Sequence, residues 1–177
     1  MKKFLIAITI LTSYFSFSNA QGLNEYIDSV TFSIGQSKDD IDIYRIGLRK
    51  DFDSKWAQTK SGYLSGYYEL SANYWKYKSE NNFGVAFSPV FAYYVDLGDY
   101  KPYIEAGIGV SYWSKTHIKT RNMSTHFHFE DRIGVGLRYK NFDFSFRYMH
   151  YSNAGIKHPN PGIDIFIGSI SYKFWYN

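Results

Sequence analysis

Apolar and polar residues alternate along most of this chain with a period of two, the signature of strands with two unlike faces. Asp28, Val30, Phe32 and Ile34 share one face, while Ser29, Thr31 and Ser33 take the other. Tyr44, Ile46 and Leu48 oppose Arg45, Gly47 and Arg49. Leu64, Tyr68, Leu70, Ala72 and Tyr74 oppose Ser65, Glu69, Ser71 and Asn73. The pattern continues with Phe83 to Val95 against Gly84, Ala86, Ser88 and Ala92, and with Ile104 to Tyr112 against Glu105, Gly107, Gly109 and Ser111. Three further segments place Ile133 to Tyr139, Phe142 to Tyr148, and Phe166 to Phe174 opposite Arg132 and Arg138, Asp143 and Arg147, and Ser169 to Lys173. The pattern predicts eight strands of about 10 residues, an even number as single-chain bacterial barrels require.

Period alone does not say which face is outside. Aromatic residues make up 21% of the chain, yet its mean hydropathy is only −0.36. Rings that alternate with small or charged residues suit a wall whose every second side chain meets lipid. A soluble sandwich would carry its polar residues outside. The fold class expected is therefore an all-β, eight-stranded antiparallel transmembrane β-barrel. A barrel this small has an interior filled by side chains, so Arg45, Arg49, Glu69, Glu105, Arg132, Arg138 and Arg147 are expected to pair inside it. Pro89 removes a ladder donor and is expected at a bulge. Trp56, Trp75, Trp113 and Trp175 lie near segment ends and read as aromatic girdle anchors.

The connections suggest an orientation, because such barrels have short periplasmic turns and longer outer loops. Lys140-Asn141 and Leu97 to Tyr100 are short, and Thr116 to Thr125 and Asn153 to Gly162 are long. Trp56 to Lys60 falls in a long connection on the short-turn side and does not fit. At the N-terminus, Lys2 and Lys3 precede a mostly apolar stretch and then Ser18-Asn19-Ala20. This is the form of a secretory signal cleaved after Ala20, leaving 21–177 as the barrel domain. Lys2 and Lys3 account for two of the 20 basic residues, so the remainder exceeds the 16 acidic ones by only two. That balance gives no argument for nucleic acid. The chain has no cysteine, which excludes disulfides, thiol nucleophiles and cysteine metal sites.

The seventh segment ends Phe142, Phe144, Phe146, Tyr148, His150, Ser152, all on the outward parity. Asp164 shares the parity of Phe166, Ile170 and Tyr172 at the start of the eighth. A hydroxyl, an imidazole and a carboxylate are thus expected to converge on the lipid-facing wall where two strands meet. A serine needs a base to take its proton, and the base needs a third group to fix its tautomer. A nucleophile on that wall would meet an ester in a membrane lipid. By spacing alone, His150 and Ser152 read equally well as an interfacial polar pair, and Asp164 as the start of a turn.

The run from His150 through Ser152-Asn153-Ala154-Gly155-Ile156-Lys157 to Pro159-Asn160 and Gly162-Ile163 resembles the signature of the PagL-type lipid A 3-O-deacylases of Gram-negative outer membranes. Further resemblance lies in Tyr44-Arg45-Ile46-Gly47-Leu48, Phe87-Ser88-Pro89-Val90-Phe91, Pro102 to Val110 and Phe129 to Leu137, so it spans nearly all of 21–177. The resemblance implies an outer-membrane esterase that hydrolyses the ester-linked 3-hydroxyacyl chain at position 3 of lipid A. Ser152 would be the nucleophile, His150 the base and Asp164 the acid, with Asn153, Gly155 and Asn160 in the region of the oxyanion hole. Asp164 stands where the family usually has Glu and is one methylene shorter, so a closer strand approach or a bridging water is expected. Asp131 is the reserve acid.

The partners implied are lipid A or lipopolysaccharide as substrate and the outer membrane, with no nucleic acid, no cofactor and no metal; a homodimer is left open. His126, His128 and Glu130 share a parity that suits a divalent ion, but read as a solvated rim. Lys157, beside His158, reads as a loop residue or as a contact to a lipid A phosphate. The competing functions are an inactive structural or adhesin barrel and a different lipid-modifying enzyme such as an acyltransferase.

Overall fold

The structure, a computed structural model, describes residues 26–174. The expected signal segment 1–20 and Trp175 lie outside these residues. The strands are β1 (Ser29–Ser37), β2 (Asp42–Asp51), β3 (Gly62–Tyr77), β4 (Glu80–Val95), β5 (Tyr100–Trp113), β6 (His117–Ile118), β7 (Arg121–Asn122), β8 (Phe127–Tyr139), β9 (Phe142–Ser152) and β10 (Ile163–Lys173). Eight of them close into an antiparallel barrel in the order β1-β10-β9-β8-β5-β4-β3-β2, while β6 and β7 form a separate hairpin. Closure matters in a membrane, where an unpaired backbone group costs several kcal/mol. β3 and β4, at 16 residues each, are longer than the expected ten.

Burial runs opposite to that of a soluble protein. Ile34, Ile104, Ile108 and Ile133 are more than 60% exposed, and Phe32, Leu70, Phe87, Phe91, Phe144 and Phe146 stand beside them on the outer wall. Arg45, Arg49, Glu69, Glu105, Glu130, Arg132 and Arg147 are buried inside. The all-β transmembrane barrel read from the alternation is the observed fold, and its aromatic face is the outer one.

The buried charges pair across the lumen. Arg45 bridges Glu69 at 2.7 Å and Glu130 at 2.6 Å. Arg49 reaches Glu69 at 2.8 Å, and Arg132 joins Glu69 at 3.1 Å and also Glu130. Arg147 pairs with Glu105, which accepts from Tyr67 Oη at 2.7 Å. Each carboxylate is held by cations or hydroxyls from several strands, the condition under which buried charge is tolerated.

Three expectations need correction. Trp75 and Trp113 are fully buried inside the barrel, with ring centroids 4.6 Å apart. They carry the inward parity of Glu69 and Glu105 respectively, and fill the lumen at its outer end. Trp56, by contrast, is 44% exposed on the outer wall. Pro89 marks no bulge: β4 keeps one register against β5 on either side of it, from Phe87↔Val110 to Val90↔Gly107. The ladder lapses at Ser88-Pro89, where Gly109 and Gly107 let the strands approach; a Cβ on Gly107 would lie 2.6 Å from Pro89 O. Finally, His128 and Glu130 are not rim residues but are buried in the lumen.

The 52–61 connection also has a physical account. It folds back along the outer wall, where Trp56 bridges Leu64 and the Phe52 ring packs edge-on to Tyr68 and Phe91 at 4.7 and 5.4 Å. Gly66 makes room, since a Cβ there would lie 2.7 Å from Phe52 Cε2. The segment extends the apolar wall, which a parity reading of strands does not anticipate.

Candidate active site

The β9–β10 ladder places Asp164 directly opposite His150, and Ile163 opposite Tyr151. Both strands keep their outward parity to this point, so the two side chains share the outer wall. His150 Nδ1 lies 2.6 Å from Asp164 Oδ1, and the two side chains remain about a third exposed. Neither a closer strand approach nor a bridging water is needed, because direct cross-strand opposition brings even the shorter acid into contact. The Tyr148 hydroxyl and the Lys38 ammonium also interact with this carboxylate. Asp131 stands opposite His150 on the other flank, in β8, but among the described residues its carboxylate makes no hydrogen bond to the ring.

Ser152 ends β9 two residues beyond His150 on the same face, a spacing of about 7 Å between Cα atoms. Its Oγ accepts from the Ala154 amide at 3.4 Å. Among the described residues no hydrogen bond joins it to His150; such contacts often tighten only when substrate binds. With Nδ1 engaged by Asp164, the other ring nitrogen, Nε2, is the one left to face a hydroxyl. The set can perform base-assisted attack by a serine.

The loop 153–162 is held by its own polar groups. Asn153 is fully buried, and its Nδ2 donates to Met123 O at 3.0 Å and Lys157 O at 2.8 Å. Its backbone amide donates to Asn160 Oδ1 at 3.2 Å, and its Oδ1 accepts from Gly155 N at 3.0 Å. The donors of Asn153 and Gly155 are thus spent within the loop and on Met123 O beside it. The Asn160 side chain is oriented by its oxygen, which leaves its amide nitrogen to point elsewhere. Ala154 and Gly155 take positive φ, 51° and 80°, so the chain reverses sharply beside Ser152. Lys157 and His158 are exposed.

Sequence reasoning missed the β6–β7 hairpin, read only as a long loop. Met123, just past it, is buried in the same cluster as Trp75, Trp113, Tyr151 and Ile163. The hairpin therefore caps the outer end of the lumen and backs the 153–162 loop. Its strands are two residues each, too short for any period. His126 turns away from His128: its Nδ1 lies 2.6 Å from Trp113 O and its ring stacks on outward Tyr112.

A family model described as Lipid A 3-O-deacylase (PagL) matches residues 42–173, about three quarters of the chain. The chain belongs to this family. It is 38% identical over 176 residues to a lipid A deacylase PagL of Pseudomonas aeruginosa, covering 98% of each. A PagL lipid A deacylase of Bordetella bronchiseptica is 38% identical over 111 residues, 60% of this chain and 61% of that protein. The barrel also superposes on a crystal structure titled as the outer membrane enzyme PagL with a TM-score of 0.79 at 38% identity, covering 82% of this chain and 99% of that one. All the candidate residues, from His150 to Asp164, fall within the stretch matched by the PagL family.

Proposed function

We propose that this chain is an outer-membrane lipid A 3-O-deacylase that uses Ser152, His150 and Asp164 on the lipid-facing wall. The observation that carries the reading is the 2.6 Å contact between His150 Nδ1 and Asp164 Oδ1 on a wall otherwise made of exposed apolar side chains. A carboxylate and an imidazole spaced for catalysis have no structural task there, and family membership supplies the substrate, lipid A.

In the mechanism, His150 Nε2 takes the proton of Ser152 Oγ as that oxygen attacks the ester carbonyl at position 3. Asp164 holds the ring so that Nε2, not Nδ1, is the free base, and it steadies the imidazolium. The tetrahedral oxyanion needs donors preset where its charge appears. The backbone amide of Ala154, 3.4 Å from Ser152 Oγ, is a donor at the nucleophile, and Asn160, whose oxygen accepts from the Asn153 amide, carries a side-chain nitrogen that can serve as a second. Asn153 and Gly155 serve instead by shaping the loop. The imidazolium then protonates the leaving sugar alkoxide, and water, activated by the same ring, releases the 3-hydroxy fatty acid.

The location fits the chemistry. β9 runs away from the end bearing the chain termini, so with those termini periplasmic the site lies at the outer leaflet, where lipid A headgroups sit. A depression of about 1000 Å³ on the apolar wall is lined mostly by β1 to β5 and reaches β10 at Gly168, four residues along that strand from Asp164. It does not include the triad residues, and it offers acyl chains a shaped apolar surface.

A serine-directed fluorophosphonate tests the assignment on refolded protein. Peptide mass spectrometry is expected to find the adduct on Ser152, with labelling lost in Ser152→Ala and slowed in His150→Ala. An adduct on another serine, or none from a folded barrel, contradicts it.

A further inference from the structure

Arg121 lies at the tip of the β6–β7 hairpin, outside the triad, and ties three outer segments together. Its Nε donates to Asp39 Oδ2 at 2.8 Å, in the β1–β2 connection, and its second terminal nitrogen joins the same oxygen. The remaining nitrogen donates to the carbonyls of Pro161 and Gly162, each at 3.3 Å. Lys119 secures the same hairpin by donating from Nζ to Asp39 O at 2.5 Å. Ser124 Oγ adds a bond to Pro159 O at 2.7 Å.

Gly162 is where this clamp meets the candidate base. A Cβ on Gly162 would lie 2.7 Å from His150 Cε1 and 3.3 Å from Nε2. The Gly162 backbone therefore walls one side of the imidazole at the edge that must face Ser152. Its φ of +63° is a conformation that suits glycine and strains most other residues. Two constraints then define the ring: Asp164 on Nδ1 and Gly162 beside Nε2. The first belongs to the barrel ladder. The second depends on a loop whose last carbonyls are held from outside by Arg121.

We infer that Arg121 is a positioning residue for the deacylase reaction, seating Gly162 against His150 so that Nε2 is aimed at Ser152. This rests on the reading of His150 as the base. A planar guanidinium suits the task because it can serve a carboxylate and two carbonyls at once, which an ammonium does less well. Misplacing a reacting group by about 1 Å can cost roughly a hundredfold in rate, and without Arg121 nothing else in the hairpin holds the Pro161 and Gly162 carbonyls.

The test uses the refolded full chain on lipid A in mixed micelles, with folding checked by heat-dependent gel mobility. Arg121→Ala is expected to lower kcat about tenfold or more while KM changes little, and Arg121→Lys to recover part of the loss. Free guanidinium at low concentration is expected to restore rate to Arg121→Ala. It should not restore Gly162→Ala, whose fault is the added methyl. A kcat unchanged in folded Arg121→Ala, beside an inactive His150→Ala, overturns the inference while leaving the base in place. A rise in KM alone overturns it too, and would make Arg121 a contact to the anionic headgroup. Full activity in His150→Ala would instead remove the reading on which the inference stands.

Discussion

His150 and Asp164 face each other across one rung of the β9–β10 ladder, and the pairing itself delivers the 2.6 Å contact between Nδ1 and Oδ1. An acid one methylene shorter than glutamate is sufficient because the strands, not a flexible loop, set the separation. Asp164→Asn would keep the size and lose control of the tautomer. Its kcat is expected to fall on the order of 10³–10⁴-fold, as read by release of hydroxy fatty acid. Asp164→Glu must fit a longer side chain into a contact that is already direct, so it should not exceed the wild-type rate. A large gain would show that Asp164 serves the base poorly.

Glu69 holds three arginines, Arg45, Arg49 and Arg132, with no access to water. Glu69→Ala leaves those charges under-compensated and is expected to destabilise the barrel by about 3–5 kcal/mol. Urea unfolding in lipid vesicles, followed by tryptophan fluorescence, would measure it. A loss under about 1 kcal/mol, the usual worth of an exposed pair, would mean that water reaches the network.

Ile108 is 67% exposed in the middle of β5. On a soluble protein, arginine there would cost little. In a bilayer it is expected to cost about 2–4 kcal/mol, so Ile108→Arg should unfold at lower denaturant in vesicles than wild type. Equal stability would place that face in water.

How much of this was legible in the sequence differs from part to part. The wall was, because each strand crosses the barrel once and parity carries straight through: Phe144, Phe146, Tyr148, His150 and Ser152 follow one rule. Parity also held the answer for Trp75 and Trp113, which share it with Glu69 and Glu105; nearness to segment ends was the weaker cue. Pro89 depends on glycines of the neighbouring strand, and Phe52 on Gly66, and neither relation has a local signal. The contact of Arg121 with Gly162 joins positions about forty residues apart through a hairpin with two-residue strands. Nothing in the periodicity points to it. The exhausted donors of Asn153 and Gly155 became visible only once the loop was folded, because they bond to groups within it and to Met123 O, thirty residues away.

The most direct measurement is mass spectrometry of lipid A after incubation with refolded protein, beside Ser152→Ala refolded in the same way. The account predicts loss of one 3-hydroxyacyl chain, recovered as free acid, with wild type alone. Unchanged lipid A with a folded wild-type barrel, or the same loss with Ser152→Ala, would contradict it.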